Sequence, residues 1–178
     1  MRCFIAVELD TSLIEKIEPL QKELVNFDVK LVELNNLHFT LKFLGDIDQN
    51  TLNKIKEILN NLASNYTPFS VNIKNIGVFP NENFIRVVWM GVEELRPLQA
   101  TVNESFSDIF KKEKPSPHLT IARVRSQIYR KEVIDFIDRH KNDKIGTMIV
   151  DTVKLKKSTV TSKGPIYEDL ATFRLVGK

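Results

Sequence analysis

The sequence predicts an α+β fold with a mostly antiparallel sheet, and three observations predict it. Strand-type alternation and helix-type periodicity interleave along the whole chain, in the order strand, helix, two strands, helix, two strands, helix, strand, helix, two strands. Strands adjacent in sequence come in pairs joined by short turns, which is what antiparallel pairing needs. A short motif, His-x-Thr, occurs at His38-Phe39-Thr40 and again at His118-Leu119-Thr120, each time on a strand followed by a helix and then two long strands. That recurrence points to two similar lobes within one 178-residue unit, with no linker or low-complexity segment between them.

The elements follow in order. Residues 2–8 alternate and are rich in Phe, Ile and Val, a buried opening strand. Asp10 or Ser12 caps a helix reaching about Asn26, with Leu13, Ile17, Leu20 and Leu24 on its apolar face and Pro19 expected to kink it. Val29 to Leu34 is a short strand, Asn35-Asn36 a turn, and Leu37 to Leu44 the first motif strand, closed by Gly45-Asp46. Asp48 caps a helix to about Ala63. Phe69 to Phe79 is a long strand with an irregularity expected at Gly77, Pro80 to Asn83 a turn, and Phe84 to Val92 the returning strand. A helix is expected from about Glu94 to Lys112, with Leu95, Leu98, Val102, Phe106, Ile109 and Phe110 as its stripe. Pro115-Ser116-Pro117 then enforces an extended entry into the second motif strand. Ile128 to His140 reads as a helix, and Ile145 to Thr159 and Ile166 to Leu175 as two closing strands around a turn at Thr161 to Pro165.

Composition narrows the class. With 42% hydrophobic and 28% charged residues the chain has the balance of a globular protein rather than a disordered one. Its net charge of +3 is mildly basic and favours polyanionic partners without requiring them. A single cysteine, Cys3, excludes an intramolecular disulfide and a cysteine-based metal site, and fits a reducing cytoplasm. The N-terminus is apolar too briefly for a signal peptide, and no run approaches a membrane span.

In a strand, side chains at i and i+2 share a face. His38 and Thr40 therefore point the same way, as do His118 and Thr120, while Phe39, Leu41, Leu119 and Ile121 face a core. The chain has three histidines and eleven threonines, so two of the three being followed by Thr two places on is a chance event of about one in a hundred. His140, at a helix end among charges, reads as structural. Three functions compete for the pair. Metal binding is poorly served, because no carboxylate or thiolate stands at ligand spacing. A non-catalytic module that binds RNA ends would use the imidazoles and hydroxyls but has no need of matched titratable pairs. Acid–base catalysis at a phosphodiester needs them: one imidazole takes a proton from the attacking water, a second gives one to the leaving oxygen, and the hydroxyls hold the non-bridging oxygens.

The motifs also resemble a known family. His38 to Gly45, His118 to Val124, Gly77-Val78-Phe79-Pro80-Asn81, Arg86 to Val92, and Ser158 to Tyr167 with Gly164-Pro165 are similar to the RNA 2′,3′-cyclic phosphodiesterases. These are also called 2′-5′ RNA ligases and belong to the two-histidine phosphoesterases; the resemblance runs from Arg2 to Phe173. It implies a bilobal, pseudo-two-fold arrangement of two antiparallel sheets with helices outside and a central cleft. It also implies a monomer without cofactor or metal that opens a 2′,3′-cyclic phosphate at an RNA end to a 2′-phosphate, and a reverse reaction in which a 5′-hydroxyl RNA end is joined. On this resemblance His38 and His118 are the acid and base, Thr40, Thr120 and Arg123 hold the phosphate, and Phe43 or Tyr167 stacks on the base. Strict alternation puts Phe43 and Arg123 on the faces opposite their histidines, so their roles require a bulge in each strand. Lys42 shares the motif face by alternation and reads as a solvated rim residue. Arg125, Arg130, Lys131 and Lys154 to Lys157 are basic residues that could guide an RNA backbone.

Overall fold

A computed structural model describes residues 1–178. Nine strands form one sheet: β1 (Arg2–Glu8), β2 (Val29–Leu31), β3 (His38–Asp46), β4 (Phe69–Asn81), β5 (Phe84–Gly91), β6 (His118–Val124), β7 (Lys144–Val150), β8 (Thr152–Thr161) and β9 (Gly164–Arg174). Four helices accompany them: α1 (Ile14–Leu24), α2 (Gln49–Asn65), α3 (Arg96–Ser105) and α4 (Arg130–His140). No helix is long and apolar enough to cross a membrane.

The strand order is β7-β4-β5-β6-β3-β1-β8-β9, with β2 beside β6, and every pairing is antiparallel. The two expected sheets are the two halves of this order. Each half runs from a motif strand through its hairpin or crossover neighbour to an outer pair: β3-β1-β8-β9 and β6-β5-β4-β7. They meet at β3 and β6, which share the single register pair Phe39↔Leu119. α2 and α3 pack on the β3 half and α1 and α4 on the β6 half. Phe39, Leu41, Leu119 and Ile121 are buried in the core on the helix side.

Several boundaries differ from expectation, each for a physical reason. The third helix ends at Ser105, not near Lys112, because the backbone leaves helical geometry at Phe106 (φ −108°, ψ 8°) and continues only as turns to Phe110; beyond that the Lys111 carbonyl accepts from the Lys42 Nζ at 2.9 Å and the prolines at 115 and 117 keep the segment extended. The run 145–159 is two strands, and they belong to opposite halves: β7 pairs with β4, and β8 pairs with β1 and β9. Continuous alternation cannot reveal a change of partner at Asp151. The 29–34 strand stops at Leu31 and becomes a 3-10 turn at Leu34–Asn36. α1 runs through Pro19 and stops at Leu24, and α4 starts at Arg130. The expected turn at 80–83 is shorter, because β4 continues to Asn81.

The register of β4 shifts at Lys74/Ile76 and at Phe79/Pro80 rather than at Gly77. Gly77 serves a different need. A Cβ there would lie 2.4 Å from the Trp89 ring, so only glycine lets the indole lie across this part of the sheet. Asp48 caps α2 as expected, its side chain accepting from the Thr51 N–H at 2.7 Å.

Candidate active site

Both motif strands carry the same irregularity. In β3, Ile5 pairs with Lys42 and Ala6 with Thr40, leaving Leu41 as an extra residue. In β6, Val88 pairs with Ala122 and Trp89 with Thr120, leaving Ile121 extra. A bulge of this kind reverses the alternation beyond it. Leu41 and Lys42 are consecutively buried, as are Ile121 and Ala122, and Phe43 and Arg123 then emerge exposed on the face of the histidines. The requirement that alternation imposed on Phe43 and Arg123 is met by two equivalent bulges, one residue past each threonine. Lys42 is corrected by the same device: it is 2% exposed, not a rim residue, and its ammonium donates to Asn103 Oδ1 and the Lys111 carbonyl, both at 2.9 Å.

The register pair Phe39↔Leu119 sets His38 opposite Thr120 and Thr40 opposite His118, on the face away from the helices. Ideal antiparallel pairing from that register would put the two histidines on a diagonal of roughly 7–8 Å. Their rings are held alike. His38 Nδ1 donates to the Asn36 carbonyl at 2.7 Å, and His118 Nδ1 donates to the Ser116 carbonyl at 2.7 Å, in each case two residues upstream. With the proton fixed on Nδ1, the neutral ring presents Nε2 as an acceptor. Thr40 donates its hydroxyl to His38 Nε2 at 3.0 Å.

Aromatic rings brace both imidazoles. Tyr167 meets His38 edge-on with centroids 5.3 Å apart, and Phe4, 3% exposed, lies 5.0 Å from His38 and 4.9 Å from Tyr167. In the other half-site Phe79 meets His118 edge-on at 4.9 Å and lies tilted against Trp89 at 5.0 Å. Phe43, 62% exposed, is 6.4 Å from Phe4 and presents a free ring beyond it.

Burial pushes the pKa of His38 below the ordinary value near 6.5; the Asn36 carbonyl opposes this, and the positive charges of Lys156 and Arg123 reinforce it. Burial lowers His118 in the same way, opposed by the Ser116 carbonyl and reinforced by Arg123. Burial raises the Tyr167 phenol, with Arg123 the leading opposing charge. Arg123 thus acts on both histidines and on Tyr167, which places one guanidinium within electrostatic reach of both half-sites. It forms no ion pair within the protein. Two of the candidate RNA-guiding lysines are committed elsewhere: Lys154 and Lys156 each bridge Glu8 and Asp169 at 2.5–2.8 Å. No three His, Cys, Asp or Glu side chains gather as a metal site would require.

Sequence reasoning missed Phe4, Phe79 and the two carbonyls of Asn36 and Ser116. Phe4 is indistinguishable in sequence from the core residues around it. The position of each carbonyl two places before a histidine follows from the strand entry, which no side chain reports.

Two bulged His-x-Thr strands meeting at the centre of one pseudo-symmetric α+β sheet define a two-histidine phosphoesterase architecture. Comparison with known proteins agrees. Residues 7–89 match the family described as LigT like Phosphoesterase. The chain is 40% identical to an RNA 2′,3′-cyclic phosphodiesterase of Methanothermobacter thermautotrophicus over 98% of its own length and 99% of the relative's. It is 41% identical to one from Methanocaldococcus jannaschii, covering 94% and 97%. Among solved structures, a Thermus thermophilus protein superposes with a TM-score of 0.85 at 27% identity, covering both chains fully. Escherichia coli LigT complexed with 3′-AMP shares the fold, with a TM-score of 0.78 at 21% identity over 98% and 97% of the chains. The chain belongs to the RNA 2′,3′-cyclic phosphodiesterase family of LigT-like phosphoesterases.

Proposed function

We propose that the protein hydrolyses the 2′,3′-cyclic phosphate of RNA ends or nucleotides to a 2′-phosphate, by paired histidine acid–base catalysis without a metal ion. The observation that carries this is the matched pair of imidazoles, each with Nδ1–H anchored on a carbonyl, which leaves Nε2 as the acceptor, bonded only by the Thr40 hydroxyl at His38. The relatives named RNA 2′,3′-cyclic phosphodiesterase and the LigT complex with 3′-AMP support the choice of substrate.

Water attacks phosphorus while one neutral Nε2 accepts its proton. The P–O3′ bond breaks, and the protonated Nε2 of the other histidine delivers its proton to O3′. One water is consumed, a 2′-phosphate and a 3′-hydroxyl form, and the proton balance is restored by exchange with solvent. The hydroxyls of Thr40 and Thr120 and the guanidinium of Arg123 hold the non-bridging oxygens as charge builds on them. A phosphate oxygen takes over the hydrogen bond that Thr40 gives to His38. Phe43 offers its exposed ring to the nucleobase, with Tyr167 as the second stacking residue. A 5′-hydroxyl in place of water gives the reverse-type reaction, a 2′-5′ linkage, in the same site. The enzyme acts as a monomer on RNA.

The test is turnover of a nucleoside 2′,3′-cyclic phosphate with a chelator present, with the product resolved as 2′- or 3′-phosphate. Turnover to the 2′-phosphate is expected, and His38→Ala and His118→Ala should each lower kcat by about 10²- to 10⁴-fold in a folded protein. Binding without turnover would leave an RNA-end binding module, and loss of turnover to the chelator would refute the metal-free mechanism.

A further inference from the structure

Five polar side chains are buried: Gln21, Lys42, Gln99, Asn103 and Lys156. The lysines lie in ion pairs and Asn103 serves Lys42. The two glutamines have no such partner. A buried amide is costly unless its hydrogen bonds are made, so their partners show what they hold.

Gln99, on α3, donates from Nε2 to the Thr40 carbonyl at 3.3 Å and accepts on Oε1 from the Ser116 N–H at 2.9 Å. The Ser116 carbonyl in turn receives His118 Nδ1. One side chain therefore joins the first motif strand to the residue that aims the second histidine. Gln21, on α1, donates to the Val32 carbonyl at 2.8 Å and to the Ile121 carbonyl at 2.9 Å. It joins the second motif strand to the segment that leads into the first. Gln21 thus also ties one half to the other, but through two carbonyls and without touching Asn36, the residue that anchors His38. Flanking contacts on α3 point the same way: Arg96 Nη1 donates to the Pro115 carbonyl at 2.6 Å, and Asn103 Oδ1 accepts from Lys42.

The sheet itself does little of this work. β3 and β6 share one register pair, so the backbone ladder alone fixes the spacing of the half-sites weakly. We propose that Gln99 is a positioning residue, a strut that sets the separation of the His38–Thr40 half-site from the His118–Thr120 half-site. The proposal rests on the catalytic function above.

The test is Gln99→Met, which keeps length and volume but makes neither bond, beside Gln99→Glu, which retains an acceptor for the Ser116 N–H. Each variant is assayed for kcat and KM on a nucleoside 2′,3′-cyclic phosphate, for thermal melting, and by NMR titration of the imidazoles without substrate. Since a misplacement of about 1 Å costs on the order of a hundredfold in rate, Gln99→Met is expected to lose about 10- to 100-fold in kcat with KM within about threefold. Its His118 should titrate lower, because the Ser116 carbonyl supports the charged ring, while His38 stays unmoved. Gln99→Glu should restore the His118 titration and part of kcat.

A folded Gln99→Met with wild-type kcat and wild-type His118 titration overturns the proposal. Activity lost only in proportion to unfolded protein, in both variants, overturns it too. A wild-type protein inactive on the cyclic phosphate would overturn the catalytic function instead, and the His118 titration, which needs no substrate, would still decide the strut.

Discussion

Replacing Lys42 by Met tests whether a buried ammonium holds the segment that delivers the second histidine. The methionine keeps the apolar stem and removes the charge. Two acceptors then lose their donor, Asn103 Oδ1 and the Lys111 carbonyl. Lys111 is exposed, so its carbonyl can turn to water, whereas Asn103 is buried and its oxygen stays dry. One buried acceptor left unsatisfied costs about 1–3 kcal/mol. The Glu113 carboxylate adds little, since it is 3.9 Å away and more than half exposed. Relief of the ammonium's own desolvation offsets part of the loss. The net expectation is a destabilisation of about 1–2 kcal/mol, which in a domain of this size lowers Tm by roughly 2–8 °C. Calorimetric melting measures it, and hydrogen exchange should show lost protection confined to residues 106–117 before the rest of the sheet opens. A Lys42→Met protein as stable as wild type, with unchanged exchange in that segment, would refute the idea that this ion clamps the loop.

Four further outcomes follow from the site. Both histidines are held below 6.5 by burial, so kcat/KM should be bell-shaped with its optimum on the acid side of that value, measured on a nucleoside 2′,3′-cyclic phosphate; an optimum well above 7 would count against the paired roles. The same depression makes the unfolded chain bind more protons as pH falls from about 6.5, so stability should decline through that window and level off below the folded values. Phe43→Ala should leave stability within about 0.5 kcal/mol because the ring is largely exposed, yet raise KM several-fold. Arg123→Ala should lower kcat through loss of the charge on the non-bridging oxygens, and an unchanged kcat would remove it from the site.

What was legible in the sequence was the part written in side-chain periodicity. The helix stripes, the alternating strands and the doubled His-x-Thr gave the architecture and the four central candidates. The bulges were less legible, because an extra residue in a strand shows only in its partner's register. Alternation therefore set Phe43 and Arg123 on the wrong faces and Lys42 on the rim of the cleft, when one inserted residue in each strand moves all three. The glutamines left a readable trace: Gln21 stands at i+4 from Ile17 and Gln99 at i+4 from Leu95, polar residues within apolar stripes. The junction at Asp151 left none, since the identity of a strand's neighbour is decided by the whole sheet.

The pseudo-two-fold is kept in the backbone and broken in the side chains, and the break has a chemical direction. Both strands carry the histidine, the threonine, the bulge and the carbonyl anchor at equivalent places. At the next position on the histidine face one strand has Phe43 and the other Arg123. Beside His38 stands the closed ion network of Glu8, Lys154, Lys156 and Asp169, and no equivalent network flanks His118. A symmetric ligand would gain nothing from this division. The proposed substrate, a nucleotide end, is itself asymmetric, with a flat apolar base on one side of the ribose and an anionic phosphate on the other, and on that proposal an aromatic ring on one strand and a guanidinium on the other would give it one orientation rather than two. On the proposed mechanism the repeated backbone supplies the two proton carriers, and the unequal residues past the bulges supply the direction in which they act.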